Sequence, residues 1–157
     1  MLTKKNFYIN YQDFNMTYED ILYAEAMNRK QRKRPGDEEH RIQCSCVRWF
    51  TLKYPQYRGL LFAVPNGGRR DAVTGAKLKA EGVIAGVADL IFLKRNSRYC
   101  GLLIEMKKPK GKQSESQKEW ERIINTLGEF KYVRCHSFDQ FRHEVEVFLN
   151  DLEKNGT

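Results

Sequence analysis

Two apolar segments of the sequence each carry one acidic residue. Asp89 opens the first, Glu105 lies near the end of the second, and Lys107 follows Glu105 by two positions. A carboxylate in a buried strand is costly unless it is paired or binds a metal. Because side chains alternate along a strand, Glu105 and Lys107 point to one face and Met106 to the other. If the two strands pair as a hairpin, Asp89 comes close to Glu105.

Two carboxylates that converge form a hard-oxygen site suited to Mg²⁺. The chemistry of such a site is hydrolysis of a phosphodiester by a metal-activated water. Lys107 could orient that water or stabilise the developing negative charge. The spacing alone leaves an alternative open, because an ordinary salt-bridge cluster at a strand end has the same residue types and is more common.

The elements that must position these residues are predicted from hydrophobic patterns and end signals. The predicted order begins with a helix from near Asp37 to before Pro55, a strand at 60–64 and a short helix at 71–81. Strands at 88–93 and 101–107 follow and are joined by a polar connection. The last elements are a helix capped by Ser114 and ending near Leu127, a strand at 130–135 and a helix at 138–152. An earlier helix between Thr17 and Arg34 ends in a basic run that could grip phosphates or be solvated. This order predicts an α/β domain with a mixed central β-sheet flanked by helices.

The composition indicates a basic protein of single-domain size. The chain has 157 residues, a net charge of +8 and a pI of about 9.4. A charge of this size favours a polyanionic partner, with nucleic acid ahead of a membrane surface or a ribosome-type scaffold. The four cysteines form no C-x-x-C pair, which argues against a zinc knuckle. No signal peptide precedes the cysteines, so we expect a cytoplasmic protein with reduced thiols. No apolar run approaches the roughly 20 residues of a membrane span.

Five short motifs, in order, carry a resemblance to a known family. They are Glu39-x-x-Ile42-Gln43, Val64-Pro65-Asn66-Gly67-Gly68, the segment 82–90 containing Asp89, the segment 101–107 containing Glu105, and Ser114-x-x-Gln117. On these motifs, residues 37–149 resemble the VRR-NUC family of the PD-(D/E)xK nuclease superfamily. One departure is Ala88, where the superfamily name has Pro. The resemblance implies a restriction-endonuclease-like core at 37–153, preceded by an N-terminal helical extension at 1–36.

The resemblance also implies a metal site. Asp89 and Glu105 would be metal ligands, and the carbonyl oxygen of Met106 would add another oxygen. Glu39, on the early helix, would complete the acidic site directly or through water. The implied cofactor is Mg²⁺, for which Mn²⁺ would substitute.

Further residues gain roles from the same resemblance. Lys107 would be the catalytic lysine, and Gln117 would help to position Lys107 or the attacking water. Gln43 lies one helical turn after Glu39 and therefore shares its face. Glu38 is an alternative to Glu39 but has the poorer spacing to Gln43.

Polar and basic residues near these motifs are candidates for holding a DNA backbone. Contacts of this kind position DNA without reading its sequence. Solvated surface is the alternative for each of them, and a simple turn is the alternative for the asparagine. The candidates are Gln43, Asn66, Arg69, Arg70, Lys77, Lys79, Lys108 and Lys110.

Residues and resemblance together predict a Mg²⁺-dependent DNA endonuclease. Small stand-alone members of the family resemble Holliday-junction resolvases that act as homodimers, so branched DNA and a two-fold dimer with two active sites are expected. These members suggest phage or mobile-element DNA processing in a bacterial or phage-infected cytosol. Two alternatives stay open: a DNA-binding module that does no chemistry, and a sequence-specific restriction-type nuclease.

Overall fold

The computed structural model describes residues 38–65 and 72–153. Within these ranges the helices are α1 (Glu38–Lys53), α2 (Ala72–Ala80), α3 (Glu115–Leu127) and α4 (Phe138–Glu153), with a 3₁₀ turn at Pro55–Tyr57. The strands are β1 (Leu61–Ala63), β2 (Leu90–Phe92), β3 (Gly101–Met106) and β4 (Phe130–Cys135). Each was predicted from the sequence to within two residues at either end. The helix predicted between Thr17 and Arg34 lies outside the described residues.

The strands form one mixed sheet in the order β1-β2-β3-β4. β1 pairs with β2 and β2 with β3 in antiparallel fashion, whereas β3 and β4 are parallel. Parallel neighbours need a crossover connection, and α3 supplies it here. The predicted α/β fold with a mixed central sheet flanked by helices is therefore confirmed.

The two faces of the sheet are covered differently. We call the side packed against α1 and α4 the core face, and the side packed against α3 the α3 face. Side chains on the core face belong to the larger apolar cluster, which includes Phe50, Leu90, Phe92, Leu102, Ile104, Met106, Phe141, Val145 and Phe148. A smaller apolar cluster lies on the α3 face and includes Ala88, Ile91, Leu103, Trp120, Ile124 and Tyr132. Alternation along β3 assigns neighbouring residues to opposite faces.

A buried asparagine fixes the hairpin that joins β2 to β3. The side-chain oxygen of Asn96 accepts hydrogen bonds from the backbone N–H groups of Arg98 (2.9 Å) and Tyr99 (2.7 Å). Its amide nitrogen donates to the carbonyl oxygen of Phe148 in α4 (3.2 Å). Turn geometry sets the register of a hairpin, so this connection determines which residues of β2 and β3 face each other.

The helices differ in how much of their surface they bury. None of the residues of α2 is buried, and this helix exposes Lys77 and Lys79 in its last turn. By contrast, α1 buries Cys46 and Phe50. No helix in the described ranges has the length and apolar character needed to cross a membrane.

Candidate active site

The pairing of β2 with β3 brings the two predicted acidic residues together. Leu90 is the partner of Ile104. One step further in the same antiparallel register, Asp89 stands opposite Glu105, and opposite residues project to one face of a sheet. Strand β2 begins at Leu90, so Asp89 precedes the strand instead of opening it.

Asp89 is held through both its side chain and its backbone. Its Oδ2 accepts a hydrogen bond of 2.8 Å from the backbone N–H of Met106. Its carbonyl oxygen accepts one of 2.9 Å from the backbone N–H of Val64, which follows β1. The carboxylate is therefore anchored to β3 while its residue remains half-buried.

Glu105 and Lys107 form a buried ion pair. Glu105 has no exposed surface, and Lys107 is 7% exposed. The Lys107 Nζ lies 2.6 Å from the Glu105 Oε1. The backbone N–H of Lys107 donates to the carbonyl oxygen of Cys135 (2.9 Å), which continues the parallel pairing one residue beyond β3. Burial of two charges carries a large desolvation cost, so such a pair is weak evidence for a stabilising role.

Gln117 links the cap of α3 to the ion pair. Ser114 and Gln117 form a capping box, in which the Gln117 Oε1 accepts from the Ser114 backbone N–H at 2.9 Å. This bond turns the Gln117 Nε2 toward Glu105, and it donates to the Glu105 Oε1. Gln117 was predicted to position Lys107 or a water, and the partner that the structure gives it is the carboxylate.

Gly86 allows the first turn of α3 to approach the site. Its φ of +84° is a left-handed conformation that glycine adopts without strain. A Cβ placed there would stand 2.3 Å from the Ser116 carbonyl oxygen and 2.7 Å from the Gln117 backbone nitrogen. The segment before Asp89 and the segment that carries Gln117 are therefore in direct backbone contact.

Glu39 reaches the site from α1 and fixes the turn that follows β3. Its Oε2 accepts a hydrogen bond of 3.1 Å from the backbone N–H of Lys108. The Lys108 carbonyl oxygen accepts from the backbone N–H of Gly111 (2.8 Å), and the His136 Nδ1 lies 3.2 Å from it. Lys110, inside this turn, has a φ of 63°, which is uncommon for a residue with a side chain.

Burial raises the pKa of the two central carboxyl groups, Asp89 and Glu105. For Glu105, burial raises the pKa to about 7. The negative charges of Asp89 and Glu39 also raise this pKa, whereas the hydrogen bond from Lys107 lowers it. Burial also raises the pKa of Asp89, whereas the hydrogen bond from the Met106 N–H and the positive charge of Lys107 lower it. The site thus concentrates more negative charge than Lys107 neutralises.

The structure describes five of the eight predicted DNA-contact residues. Lys108 and Lys110 are exposed on the turn after β3, and Gln43 is half-buried on α1. Lys77 and Lys79 lie on the exposed surface of α2. Three predicted candidates, Asn66, Arg69 and Arg70, lie outside the described residues.

Sequence reasoning missed two polar residues at the site, Tyr132 and Gln113. The Tyr132 hydroxyl lies 3.5 Å from the Glu105 Oε2 and 3.2 Å from the Gln113 Nε2. Burial raises the pKa of Tyr132, and the negative charge of Glu105 adds to this. Alternation within 130–135 could have indicated that Tyr132 and Arg134 share a face. The partner strand and register, in which Tyr132 lies opposite Leu103, are tertiary facts.

The donor set suits a hard divalent cation held by few protein ligands. No group of three or more His, Cys, Asp or Glu side chains within 38–65 and 72–153 is arranged to hold a metal ion. Two carboxylates, Asp89 and Glu105, with the Met106 carbonyl fit Mg²⁺, which binds one or two carboxylates and keeps several waters. The Glu105 Oε1 is engaged by Lys107 and Gln117. Its Oε2 makes only the longer Tyr132 contact among those described, so Oε2 is the better placed oxygen for a cation.

Comparison with known proteins points to one family. The profile of the VRR-NUC domain matches residues 23–139. A solved structure described as a VRR_NUC domain protein aligns with a TM-score of 0.57 at 22% sequence identity, over 72% of this chain and 88% of that chain. This likeness supports the predicted restriction-endonuclease-like fold. No curated protein sequence matches the chain.

Proposed function

Because this chain belongs to the VRR-NUC family of nuclease-type domains, we propose that it is a Mg²⁺-dependent DNA endonuclease. The observation that carries the proposal is the juxtaposition of Asp89, Glu105 and Lys107 at one end of the α3 face. An ordinary salt bridge at a strand end would be exposed to solvent and would need only one carboxylate. Here the ion pair of Glu105 and Lys107 is buried, and Asp89 provides a second carboxylate beside it. The reaction would be hydrolysis of a phosphodiester bond.

Asp89 and Glu105 would hold the cation through their carboxylates, and Met106 through its carbonyl oxygen. Burial raises the pKa of both carboxyl groups, and the negative charge of Glu39 adds to it, so a dication bound between them would favour their ionised forms. A bound Mg²⁺, or Mn²⁺ in its place, supplies an activated water and neutralises charge on the phosphoryl oxygens. Glu39 adds negative charge nearby while its carboxylate holds the Lys108 backbone.

Lys107 is the proposed catalytic lysine. Its ammonium group is anchored at 2.6 Å from Glu105, and little of its surface is exposed. A cation fixed in a largely dry site stabilises developing negative charge more strongly than one in water. Gln117 donates to the same Glu105 oxygen, Oε1, as Lys107 does, so it helps to hold the carboxylate beside the ammonium group.

The DNA backbone would be held by basic side chains around this end of the sheet. Lys108 and Lys110 project from the turn that directly follows β3, and α2 exposes two further lysines, Lys77 and Lys79. The net charge of +8 supports attraction of a polyanion. Gln43 and Asn66 belong to the same proposal through the motifs that they share with the family. Arg69 and Arg70 belong to it because they directly follow the motif that ends at Gly68.

The finer proposal is that the substrate is branched DNA, such as a Holliday junction, and that the enzyme is a homodimer. It rests on the resemblance to the small stand-alone members of the family. A two-fold dimer would present one active site to each of two strands at a junction.

A cleavage panel tests both levels of the proposal. Labelled four-way junction, flap and linear duplex DNA are incubated with Mg²⁺, Mn²⁺ or EDTA, using wild-type protein, Glu105→Ala and the exposed control Glu129→Ala. We expect metal-dependent cutting of branched DNA by the wild type and the control but not by Glu105→Ala. Cutting of plain duplex at one defined sequence would favour a restriction-type nuclease. Salt-sensitive DNA binding without cutting would favour a binding module, and equal behaviour of wild type and Glu105→Ala would end the enzyme proposal.

A further inference from the structure

Tyr132 is placed to control the oxygen of Glu105 that Lys107 and Gln117 do not engage. Both of those donors contact Oε1, whereas the Tyr132 hydroxyl faces Oε2 at 3.5 Å. This distance is longer than that of a usual O–H···O hydrogen bond, so the contact leaves the lone pairs of Oε2 available. The carboxylate is thus contacted from two sides, and Oε2 keeps capacity for a further ligand.

The direction of the Tyr132 hydroxyl is set by Gln113. The Gln113 Nε2 donates to the Tyr132 oxygen (3.2 Å) and to the Glu121 Oε2 (2.7 Å), while its Oε1 accepts from the Arg134 Nη1 (3.3 Å). The Glu121 carboxylate and the Arg134 guanidinium allow only one orientation of the Gln113 amide. In the flipped orientation the amide oxygen would face the carboxylate and the amide nitrogen would face the guanidinium. With its oxygen receiving a hydrogen bond, Tyr132 has its own proton available for Glu105.

The ring of Tyr132 is fixed independently of its hydroxyl. It packs against Trp120 of α3, with ring centroids 5.8 Å apart and planes inclined at 60°. Its place on β4 opposite Leu103 puts it on the same face as Glu105. Phenylalanine can keep this packing, so the hydroxyl can be removed without a change in the apolar contacts.

We propose that Tyr132, oriented by Gln113, is a positioning residue that directs the Glu105 Oε2 toward the divalent cation. This inference rests on the proposed function, since it concerns the same cation. In this role Tyr132 acts through Glu105, which its hydroxyl faces. Groups that orient a metal ligand typically contribute about 10–100-fold in metal affinity.

The test is Mn²⁺ affinity without DNA, measured by calorimetry on the full chain. The variants are Tyr132→Phe, Gln113→Ala, their combination, Glu105→Ala and the control Tyr57→Phe, which changes another half-buried tyrosine of the core cluster. We expect about tenfold weaker Mn²⁺ binding for Tyr132→Phe and wild-type affinity for Tyr57→Phe. Gln113→Ala should weaken binding alone but add little to Tyr132→Phe, because it acts through the hydroxyl. The turnover number for DNA should fall in Tyr132→Phe with little change in KM.

The outcomes separate this inference from the function on which it rests. Wild-type Mn²⁺ affinity in Tyr132→Phe, together with impaired binding in Glu105→Ala, would overturn the role of Tyr132 alone. Equal binding by Glu105→Ala and wild type would overturn the cation site and this assignment with it. If Tyr132→Phe unfolds, Gln113→Ala decides the question, because Gln113 lies outside the apolar clusters.

Discussion

The two faces of the sheet meet along β3 and have different compositions. On the core face, α1 and α4 cover side chains with no exposed surface, among them Leu90, Phe92, Ile104 and Met106. On the α3 face, the apolar cluster includes Leu103 of β3 and gives way at the next positions on that face to Glu105 and Lys107. Residues that are neighbours in sequence therefore belong to an apolar core and to a charged site.

This difference shows how one strand can serve two purposes. The core face buries enough apolar surface to hold β3 rigid, because large buried side chains contribute about 1.5–3 kcal/mol each. That rigidity fixes the buried ion pair on the opposite face, which contributes little stability of its own. Substitutions on the two faces should therefore change different quantities, and the following experiments test that separation.

Lys107→Met should have the largest effect on activity. The side chain keeps its length and apolar stem but loses the charge that faces Glu105. Loss of one fixed group that stabilises the transition state costs about 10²–10³-fold in rate. Single-turnover cleavage measures the rate, and circular dichroism with thermal unfolding checks the fold. A rate within threefold of wild type would contradict the role of Lys107.

Phe92→Ala should show the opposite behaviour. Phe92 is fully buried on the core face and packs against Phe50 with ring centroids 5.0 Å apart. Truncation of a buried phenylalanine lowers the free energy of unfolding by about 3–5 kcal/mol. Urea unfolding measures this loss. The cleavage rate per folded molecule should stay near wild type. A fall in this rate as large as that of Lys107→Met would show that the two faces do not have separate roles.

Gly86→Ala should slow cleavage by displacing the first turn of α3. The new Cβ would meet the backbone of Ser116 and Gln117, so the first turn of α3 must shift and Gln117 must leave Glu105. We expect about tenfold to 100-fold slower cleavage, in the range seen for misplaced catalytic groups. The matched control is Gly75→Ala, where no atom beyond the adjacent residues and the local helix backbone lies within 4 Å of the new Cβ. This control should stabilise α2 by about 0.5–1 kcal/mol and leave cleavage unchanged.

Lys110→Ala should have the smallest effect, since Lys110 is exposed and lies outside both clusters. Loss of one phosphate contact should weaken DNA binding severalfold and reduce the slope of log affinity against log salt by about 0.9. Fluorescence anisotropy at several salt concentrations measures both. Lys53→Ala, at the far end of α1 from Glu39, is the control and should match wild type. Equal salt slopes for all three proteins would remove Lys110 from the DNA surface.

Local patterns in the sequence were sufficient to predict the fold and part of the site. The apolar runs predict β2 and β3, and strand alternation places Glu105 and Lys107 on one face. The capping signal at Ser114 correctly places the start of α3. These features depend on a few neighbouring residues or on one hairpin, so they are readable without tertiary information.

The remaining features depend on contacts between distant segments. The partner of Gln117 depends on how α3 lies over the sheet, and the role of Tyr132 depends on the parallel register of β4 with β3. The steric requirement at Gly86 arises only because the backbone of α3 passes within contact distance. No local pattern encodes these distances, which is why the sequence left them undetermined.

The most direct test of the central claim is an anomalous difference map from a crystal soaked in Mn²⁺. We expect one peak coordinated by oxygen atoms of Asp89 and Glu105, with the Lys107 ammonium group adjacent. Soaked crystals of Glu105→Ala should lack that peak. A Mn²⁺ peak elsewhere, or none at all while Lys107 and Glu105 stay paired, would contradict the account.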